Sequence, residues 1–197
     1  MGKLYCILGK SGVGKDTLFK QIMKTTDLNI QPIIPYTTRP KRSNEQEGVQ
    51  YHFVNDQELA ELEKQNKVIE KRQYDTVFGV WSYFTVDTGL DFKNNYLFIT
   101  TLEAIEKLAN WYGPENIVII YLEISDRVRL ERAINRENTQ ESPNYSEVCR
   151  RYLADEIDFS EDKLSVYANL YRINAEQSLE QCVRSFVNIM SQVENRK

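Results

Sequence analysis

A glycine-rich turn near the N-terminus constrains this chain more than any other feature of its sequence. Residues 9–17 read GKSGVGKDT, and they come directly after the apolar segment LYCIL. In a phosphate-binding loop with this spacing, glycines turn backbone N–H groups toward an anion and the lysine contacts the β- and γ-phosphates. The helix that follows such a loop adds its dipole to the anion site. The sequence therefore predicts a nucleotide-phosphate site made of Gly9, Ser11, Gly12, Val13, Gly14, Lys15, Asp16 and Thr17.

The residue after the loop lysine departs from the usual pattern. Asp16 stands where a Ser or Thr hydroxyl normally coordinates Mg²⁺, and Thr17 follows it. A carboxylate is an equally hard oxygen ligand, so Asp16 and Thr17 are the candidate ligands for Mg²⁺. Two other interpretations stay open: Thr17 contacts a phosphate oxygen, or Asp16 only favours the helix N-terminus electrostatically.

Strand and helix patterns alternate along most of the chain. The runs LYCIL, YLFIT and IVIIYLEI read as buried strands, since parallel strands covered on both faces are continuously apolar. The segments LEAIEKLANWYG and EQSLEQCVRSFVNIMSQV read as helices, and Asn55 and Glu58 have the spacing of a capping box. This alternation predicts an α/β fold with a parallel core sheet. A β-rich segment over residues 33–86 interrupts it and is predicted to be a subdomain.

Composition limits the classes of partner. The chain has 197 residues, which suits one domain, and its net charge of −4 argues against a general nucleic-acid binder. No segment is as long and apolar as a membrane span, and no signal-peptide pattern opens the sequence. Cys6, Cys149 and Cys182 are widely spaced and odd in number, which indicates a reduced, cytoplasmic compartment. We therefore expect neither nucleic acid nor membrane as a partner, and the oligomeric state is left open.

A second basic segment lies at residues 36–54, which read YTTRPKRSNEQEGVQYHFV. Arg39, Lys41 and Arg42 form a compact cluster, and Tyr51 follows. The guanidinium fork suits bidentate phosphate binding, and a tyrosine hydroxyl adds a donor. Two separate phosphate sites imply phosphoryl transfer from one phosphorylated compound to another. A solvated charged loop is the alternative that the local sequence leaves open.

This second segment resembles the guanylate kinase family, which carries T-T-R-x-x-R-x-x-E-x-x-G-x-x-Y-x-F after a similar phosphate loop. The matching residues are Thr37, Thr38, Arg39, Arg42, Glu45, Gly48, Tyr51 and Phe53. The resemblance implies a P-loop three-layer fold with a core (about 1–32, 87–125 and 151–197), a β-rich acceptor-binding insert (about 33–86) and a helical lid (about 126–150). It also implies transfer of the γ-phosphoryl group of ATP to GMP with Mg²⁺, so that the substrates are ATP and a nucleoside monophosphate.

The resemblance further assigns roles to individual residues. Arg39, Arg42 and Tyr51 would hold the acceptor phosphate, and Glu70 would read the N1–H and amino edge of guanine. Other acceptor-site positions are Tyr36, Phe78, Gly79 and Thr101. Catalytic cations would be Lys15, Arg132, Arg136 and Arg151, for which surface i,i+4 pairing is the alternative in the three arginines. Asn174 would lie near the adenine ring, and His52 is expected to be a surface strand residue.

Departures from the family pattern cluster where the base would sit. Tyr36 replaces a serine, Phe78 and Val80 stand where the family has hydroxyls, and Ile99 and Thr101 stand where it has carboxylates. Loss of paired donors and acceptors weakens or retunes base recognition. A related kinase of ribose 1,5-bisphosphate, whose branch also carries G-K-D in its loop, and a non-catalytic guanylate-kinase-like binding module are therefore the alternatives. The retained E-x-x-G-x-x-Y-x-F run favours GMP, and the intact phosphate loop favours an enzyme.

Overall fold

The computed structural model describes residues 1–25, 28–43, 45–76 and 79–195. Within them the strands are β1 (Leu4–Leu8), β2 (Ile30–Pro32), β3 (Tyr36–Thr37), β4 (His52–Phe53), β5 (Val68–Thr76), β6 (Gly79–Val86), β7 (Asn95–Ile99), β8 (Ile117–Glu123) and β9 (Leu170–Asn174). The helices are α1 (Lys15–Lys24), α2 (Asp56–Lys64), α3 (Leu102–Tyr112), α4 (Asp126–Glu137), α5 (Tyr145–Asp158), α6 (Glu161–Leu164) and α7 (Leu179–Glu194). A 3₁₀ turn, Pro114–Asn116, precedes β8.

A parallel sheet forms the centre, with the strand order β2-β7-β1-β8-β9. Side chains alternate between its two faces. One face packs Tyr5 and Ile7 against α1 and α7, where Phe186 is fully buried. The other face packs Leu4 and Cys6 against the apolar side of α3. The predicted α/β fold with a parallel core sheet and helices on both faces is thereby confirmed.

A second, four-stranded sheet occupies the β-rich segment, with the order β4-β3-β6-β5. Strands β5 and β6 are antiparallel and pair Glu70 with Thr85, Arg72 with Tyr83, and Tyr74 with Trp81. The opposite face carries Phe84 and Val86, which pack with Leu59 of α2. This helix begins with the capping box predicted from the sequence, since Asn55 and Glu58 bond to each other's backbone N–H groups. The sheet therefore has one apolar, buried face and one polar face.

The segment VQYHFV alternates apolar and polar residues, which predicts a strand along its whole length, but only His52 and Phe53 pair as a strand. Gly48, with φ +72°, turns the chain just before it. The carboxylate of Glu47 accepts a hydrogen bond from the backbone N–H of Phe53 and lies 2.8 Å from Nδ1 of His52. His52 is partly exposed, as expected, and local turn bonding replaces the longer strand.

Among the described residues, none of the helices is both long enough and apolar enough to cross a membrane.

Candidate active site

The glycine-rich turn joins the end of β1 to the start of α1. Gly9, Gly12 and Gly14 all have positive φ, at +147°, +85° and +100°. L-residues rarely adopt this conformation, and a Cβ on Gly9 would also lie 2.7 Å from the carbonyl oxygen of Leu122. Gly14 is the N-cap of α1 and provides no side-chain cap, so the first-turn N–H groups of the helix are available to an anion.

Lys15 folds back over this turn. Its Nζ donates to the carbonyl oxygen of Gly9 at 2.6 Å and to that of Lys10 at 3.1 Å. Burial lowers the pKa of Lys15, while the carboxylates of Asp16 and Asp155 act in the opposite direction. The ammonium group is thus held at the mouth of the loop by two carbonyl oxygens.

Two carboxylates from α5 contact the turn directly. Asp155 accepts a hydrogen bond from the backbone N–H of Ser11 at 2.8 Å. Both carboxylate oxygens of Glu156 accept from Nζ of Lys10, each at 2.7 Å. Arg129 of α4, which is only 1% exposed, donates to Asp155 and Glu156 and lies 3.9 Å from the ring centre of Tyr152. One buried guanidinium therefore ties α4 and α5 to the phosphate loop.

Arg132 of α4 reaches the connection between β9 and α7, and Asn174 is the last residue of β9. Each terminal nitrogen of Arg132 donates one hydrogen bond of 3.4 Å, one to the carbonyl oxygen of Val13 and the other to that of Ala175. The Asn174 side chain accepts from the N–H of Glu176 at 2.9 Å. Arg132 thereby bridges the loop to the residue after Asn174, so these two sequence-predicted residues lie in one region.

The basic cluster of the second segment is held by Glu45. Arg39 is buried and binds the Glu45 carboxylate through both terminal nitrogens, at 3.0 and 2.7 Å. Hydrogen bonding from Arg39 lowers the pKa of Glu45. The same carboxylate accepts from the backbone N–H of Arg42 at 2.9 Å. The Tyr51 ring lies 5.6 Å from the Arg39 guanidinium carbon, and burial raises the pKa of its hydroxyl.

The phosphate loop and the basic cluster open onto the same space. A cavity of about 890 Å³, here called the main cavity, is bordered by Lys15, Arg42, Tyr51, Arg72 and Thr101, among others. A neighbouring cavity of about 740 Å³ lies between α4 and α5 and is called the helix-pair cavity. The residues that border both are Ser11, Arg42, Glu147 and Arg151.

Four arginines border the helix-pair cavity, from three different segments: Arg42, Arg129 and Arg136 of α4, and Arg151 of α5. Arg136 is close enough to Lys15 to contribute to its lowered pKa. Arg151 donates to Glu147 at 2.7 Å, and Arg150 binds the same carboxylate. These bonds lower the pKa of Glu147 to about 2. Arginines of the second segment, of α4 and of α5 therefore lie together beside the phosphate loop.

At the other end of the main cavity, Arg72 covers Glu70. Glu70 is buried and accepts from Thr85 at 2.7 Å and from Arg72 at 3.0 and 3.3 Å. Arg72 also donates to the Thr101 hydroxyl at 3.3 Å. The predicted positions Glu70 and Thr101 thus meet through Arg72. Aromatic rings of the same sheet face, Tyr74, Trp81 and Tyr83, border the cavity beside them.

The residues that border the main cavity do not include four of the predicted acceptor positions, namely Tyr36, Arg39, Glu70 and Gly79. The Tyr36 ring packs against His52 and Phe84, with centroids 4.6 and 5.5 Å away, on the apolar face of the sheet. Strand alternation causes this, because Tyr36 pairs with Phe84. Gly79 is exposed at the start of β6. Phe78 lies outside the described residues.

The candidate metal ligands, Asp16 and Thr17, lie exposed in the first turn of α1. Asp16 borders a small cavity of about 380 Å³ together with Arg39, Arg42 and Tyr51. Across the described ranges, no three His, Cys, Asp or Glu side chains cluster as a preformed metal site. One carboxylate and one hydroxyl beside a phosphate loop still fit Mg²⁺, which takes one or two protein ligands and completes its shell with phosphates and water.

Sequence reasoning did not single out Arg72, Arg129, Asp155 or Glu156. A signal existed for Arg72, since it stands two residues after Glu70 in the predicted β-rich segment, and residues at this spacing on a strand share a face. Asp155 and Glu156 lie more than 140 residues from their loop partners, a separation that no local pattern bridges.

Comparison with known proteins relates this chain to guanylate kinases. A family model described as guanylate kinase matches residues 1–161. The chain is 32% identical over 138 residues to guanylate kinase of Malacoplasma penetrans, covering 70% of this chain and 59% of that protein. It is 38% identical over 94 residues to guanylate kinase of Saccharophagus degradans, covering 46% and 45%. The match thus spans less than two thirds of the length of these two relatives.

Other comparisons cover more of each protein. Guanylate kinase of Prochlorococcus marinus is 30% identical over 138 residues, covering 70% of this chain and 73% of that protein. The crystal structure of guanylate kinase from Anaplasma phagocytophilum superposes with a TM-score of 0.68 at 19% identity, over 97% of this chain and 85% of that one. At this identity the structure supports the fold alone. Because the family model covers most of the chain and the Prochlorococcus protein matches along most of its length, this chain belongs to the guanylate kinase family.

Proposed function

We propose that this protein transfers the γ-phosphoryl group of ATP to GMP, giving ADP and GDP, within purine nucleotide metabolism. The observation that carries the proposal is the main cavity, which Lys15 of the phosphate loop and Arg42 and Tyr51 of the second segment border together. Donor and acceptor phosphates bound to these groups would share one cavity. Direct transfer needs this proximity, because it relies mainly on positioning and charge neutralisation.

On the donor side, the backbone N–H groups of the loop and the Lys15 ammonium would hold the β- and γ-phosphates. Arg132 bridges the loop to Ala175, which supports an adenine position beside Asn174. When bound, Mg²⁺ would neutralise charge between the β- and γ-phosphates, with Asp16 and Thr17 as its protein ligands. Asp155 now accepts from Ser11, and a bound polyphosphate would compete with this carboxylate for the loop.

At the centre, the cations would stabilise the transferring group. A phosphoryl transition state spreads negative charge over three equatorial oxygens, which donors fixed in advance stabilise strongly. Arg136 and Arg151 come from α4 and α5, and Arg42 comes from the acceptor side. We propose that residues 126–150 act as a lid, because closing these helices over the loop would also exclude water and prevent hydrolysis of ATP.

On the acceptor side, residues 33–86 would form the binding insert, with Arg39 and Arg42 on the phosphate. Three aromatic side chains, Tyr74, Trp81 and Tyr83, border the same cavity. Flat aromatic surfaces stack on a base and contribute about 1–3 kcal/mol per base in nucleic-acid complexes. They favour a nucleotide acceptor over ribose 1,5-bisphosphate, which carries no base. The intact phosphate loop likewise favours an enzyme over a binding module.

We propose a cytoplasmic location, where ATP and nucleoside monophosphates are available. The three cysteines are unpaired, and two of them, Cys6 and Cys182, are buried. Free buried thiols suit a reducing compartment.

An acceptor panel tests the proposed function. Turnover with ATP and Mg²⁺ is measured in a coupled assay for GMP, AMP, UMP and ribose 1,5-bisphosphate. We expect GMP to be phosphorylated and AMP and UMP to react at least about 100-fold more slowly, as for sites that read polar groups. Fast turnover of the ribose compound with none for GMP would overturn the proposed acceptor. No turnover and no ATP binding would overturn the enzymatic function itself.

A further inference from the structure

Arg72, and not Glu70, forms the wall of the main cavity at the end where the base would lie. Both side chains are largely buried, with 16% of Arg72 and 4% of Glu70 exposed, but only Arg72 borders the cavity. Glu70 lies behind it, with oxygens bonded to Arg72 and Thr85. A ligand in the cavity therefore meets a guanidinium, which only donates hydrogen bonds, in front of a carboxylate, which only accepts them.

The Arg72 side chain is fixed on two sides. Glu70 binds it through Nε and one terminal nitrogen, and the Thr101 hydroxyl at the start of α3 accepts from the other. A guanidinium has five N–H groups in a rigid fork, and these contacts with described residues use three of them. Since the fork is already oriented, little entropy is lost when its other N–H groups bind a ligand.

The neighbouring side chains suit a flat ligand. Strand pairing places Tyr83 opposite Arg72 and Trp81 opposite Tyr74, so these rings lie on the same face of the β5–β6 pair. The Tyr74 and Tyr83 rings pack edge to face with centroids 5.6 Å apart. A planar base against these rings would bring its edge to the fixed guanidinium.

We propose that Arg72 determines acceptor specificity by donating hydrogen bonds to O6 and N7 of guanine, with Glu70 and Thr101 orienting it. This inference rests on the proposed function. Guanine presents two adjacent acceptors at O6 and N7, which match an arginine fork, whereas adenine replaces O6 with an amino donor. Arg72 thereby supplies the donors that the hydroxyls missing from this chain's acceptor site no longer provide, and it rejects AMP by facing donor with donor.

A guanidinium reader and a carboxylate reader make opposite predictions for IMP and 7-deaza-GMP. IMP keeps O6 and N7 but lacks the 2-amino group that a carboxylate would bind. If Arg72 reads the base, the affinity for IMP should lie within about 3-fold of the affinity for GMP. The 2-amino group that IMP lacks does not contact Arg72, so its loss leaves no hydrogen-bonding group of this reader unpaired. 7-Deaza-GMP lacks the N7 acceptor, and its affinity should be lower by about 10-fold, the value of one good charge-assisted hydrogen bond.

The test measures binding of GMP, IMP and 7-deaza-GMP by calorimetry without ATP, and phosphorylation of each in the coupled assay. In Arg72→Met we expect GMP affinity to fall about 10-fold or more and the preference for GMP over 7-deaza-GMP to disappear. The matched control is Lys71→Met, one residue away, where the side chain is paired with Glu63 at the surface. It should keep the preference.

Arg72→Met leaves the Glu70 carboxylate without its cation, so the double variant Glu70→Gln with Arg72→Met is measured as well. It should also lose the preference for GMP over 7-deaza-GMP. The inference would be overturned if Arg72→Met lost affinity for GMP and for 7-deaza-GMP by the same factor. It would also be overturned if the unmodified protein bound GMP at least about 10-fold more tightly than IMP. If the unmodified protein prefers GMP over 7-deaza-GMP in binding but phosphorylates neither, the proposed function would be overturned. Arg72 would then still be supported as the residue that reads the base.

Discussion

At the level of single residues, three arginines of the candidate site are each paired with a carboxylate. Arg39 is bound to Glu45, Arg72 to Glu70 and Arg151 to Glu147. Paired guanidinium groups keep their charge and a defined orientation, which a lysine in the same position would not reproduce. Lys15 differs, because its partners are carbonyl oxygens that do not neutralise it.

Replacing Lys15 tests the phosphate loop. In Lys15→Met we expect kcat to fall by about 10²–10³-fold or more, as when a preorganised transition-state donor is removed. The melting temperature should change by no more than about 4 °C, since roughly 1 kcal/mol of hydrogen bonding is lost. Turnover and thermal melting are compared with Lys24→Met, an exposed lysine in the last turn of the same helix. Near-normal turnover in Lys15→Met would refute the loop assignment.

Replacing Arg42 tests how the acceptor phosphate is bound. Arg42→Gln should lower kcat/KM for GMP by about 10–100-fold, because a hydrogen bond to a charged group contributes about 1.5–3 kcal/mol. The KM for ATP should stay within about 2-fold, since the loop is intact. Lys41→Gln, the exposed neighbour, serves as control and should behave as the unmodified protein. A selective loss of ATP affinity in Arg42→Gln would place this arginine on the donor side.

The sequence could predict residues whose role is local and whose spacing is fixed. The glycines of the loop and the Asn55–Glu58 capping box are of this kind, because each depends on neighbours within a few positions. It could not predict that Arg72 covers Glu70 or that Tyr36 faces away from the cavity. Both depend on which face of the second sheet is buried, and that is decided by packing against α2.

At the scale of elements, α4 and α5 are fastened to the phosphate loop by Arg129. This arginine donates to carboxylates of both helices and stacks on Tyr152, and because it is buried, removing one partner of the pairing is costly. Asp155 in turn bonds to Ser11 of the loop. The helices that carry Arg136 and Arg151 are therefore attached at one place to the loop that would hold the donor phosphates.

Removing Arg129 should destabilise the protein. Arg129→Met leaves Asp155 and Glu156 without their shared cation, and breaking a buried pair in this way costs about 3–5 kcal/mol. For a chain of this size the melting temperature should fall by about 6–20 °C. Arg127→Met removes an exposed pair with Glu131 in the same helix and should lower it by less than about 4 °C. Equal melting temperatures in the two variants would contradict the proposed attachment.

At the scale of the whole molecule, two sheets share one opening. The parallel sheet carries the phosphate loop at the end of β1, and the second sheet presents its polar face with Arg72. The alternating pattern could predict the parallel sheet and the presence of a β-rich insertion. It could not predict how the second sheet is oriented toward the loop, because that follows from contacts between distant segments.

Ligand-dependent melting tests this arrangement. A ligand that binds only the native state at 100 times its Kd stabilises the protein by about 2.7 kcal/mol, which corresponds to about 5–10 °C here. We expect such shifts for ATP with Mg²⁺ and for GMP, and a smaller shift for UMP. In Arg42→Gln the GMP shift should shrink while the ATP shift is kept. Equal shifts for GMP and UMP would argue against a site that reads guanine.

We propose that donor and acceptor phosphates meet in the main cavity and that the γ-phosphoryl group passes directly between them. The most direct measurement follows a label in the γ-phosphoryl group of ATP during incubation with GMP and Mg²⁺. We expect the label to appear in the β-phosphoryl group of GDP, with little released as inorganic phosphate. Label released only as inorganic phosphate, or GMP left unchanged while ATP binds, would contradict it.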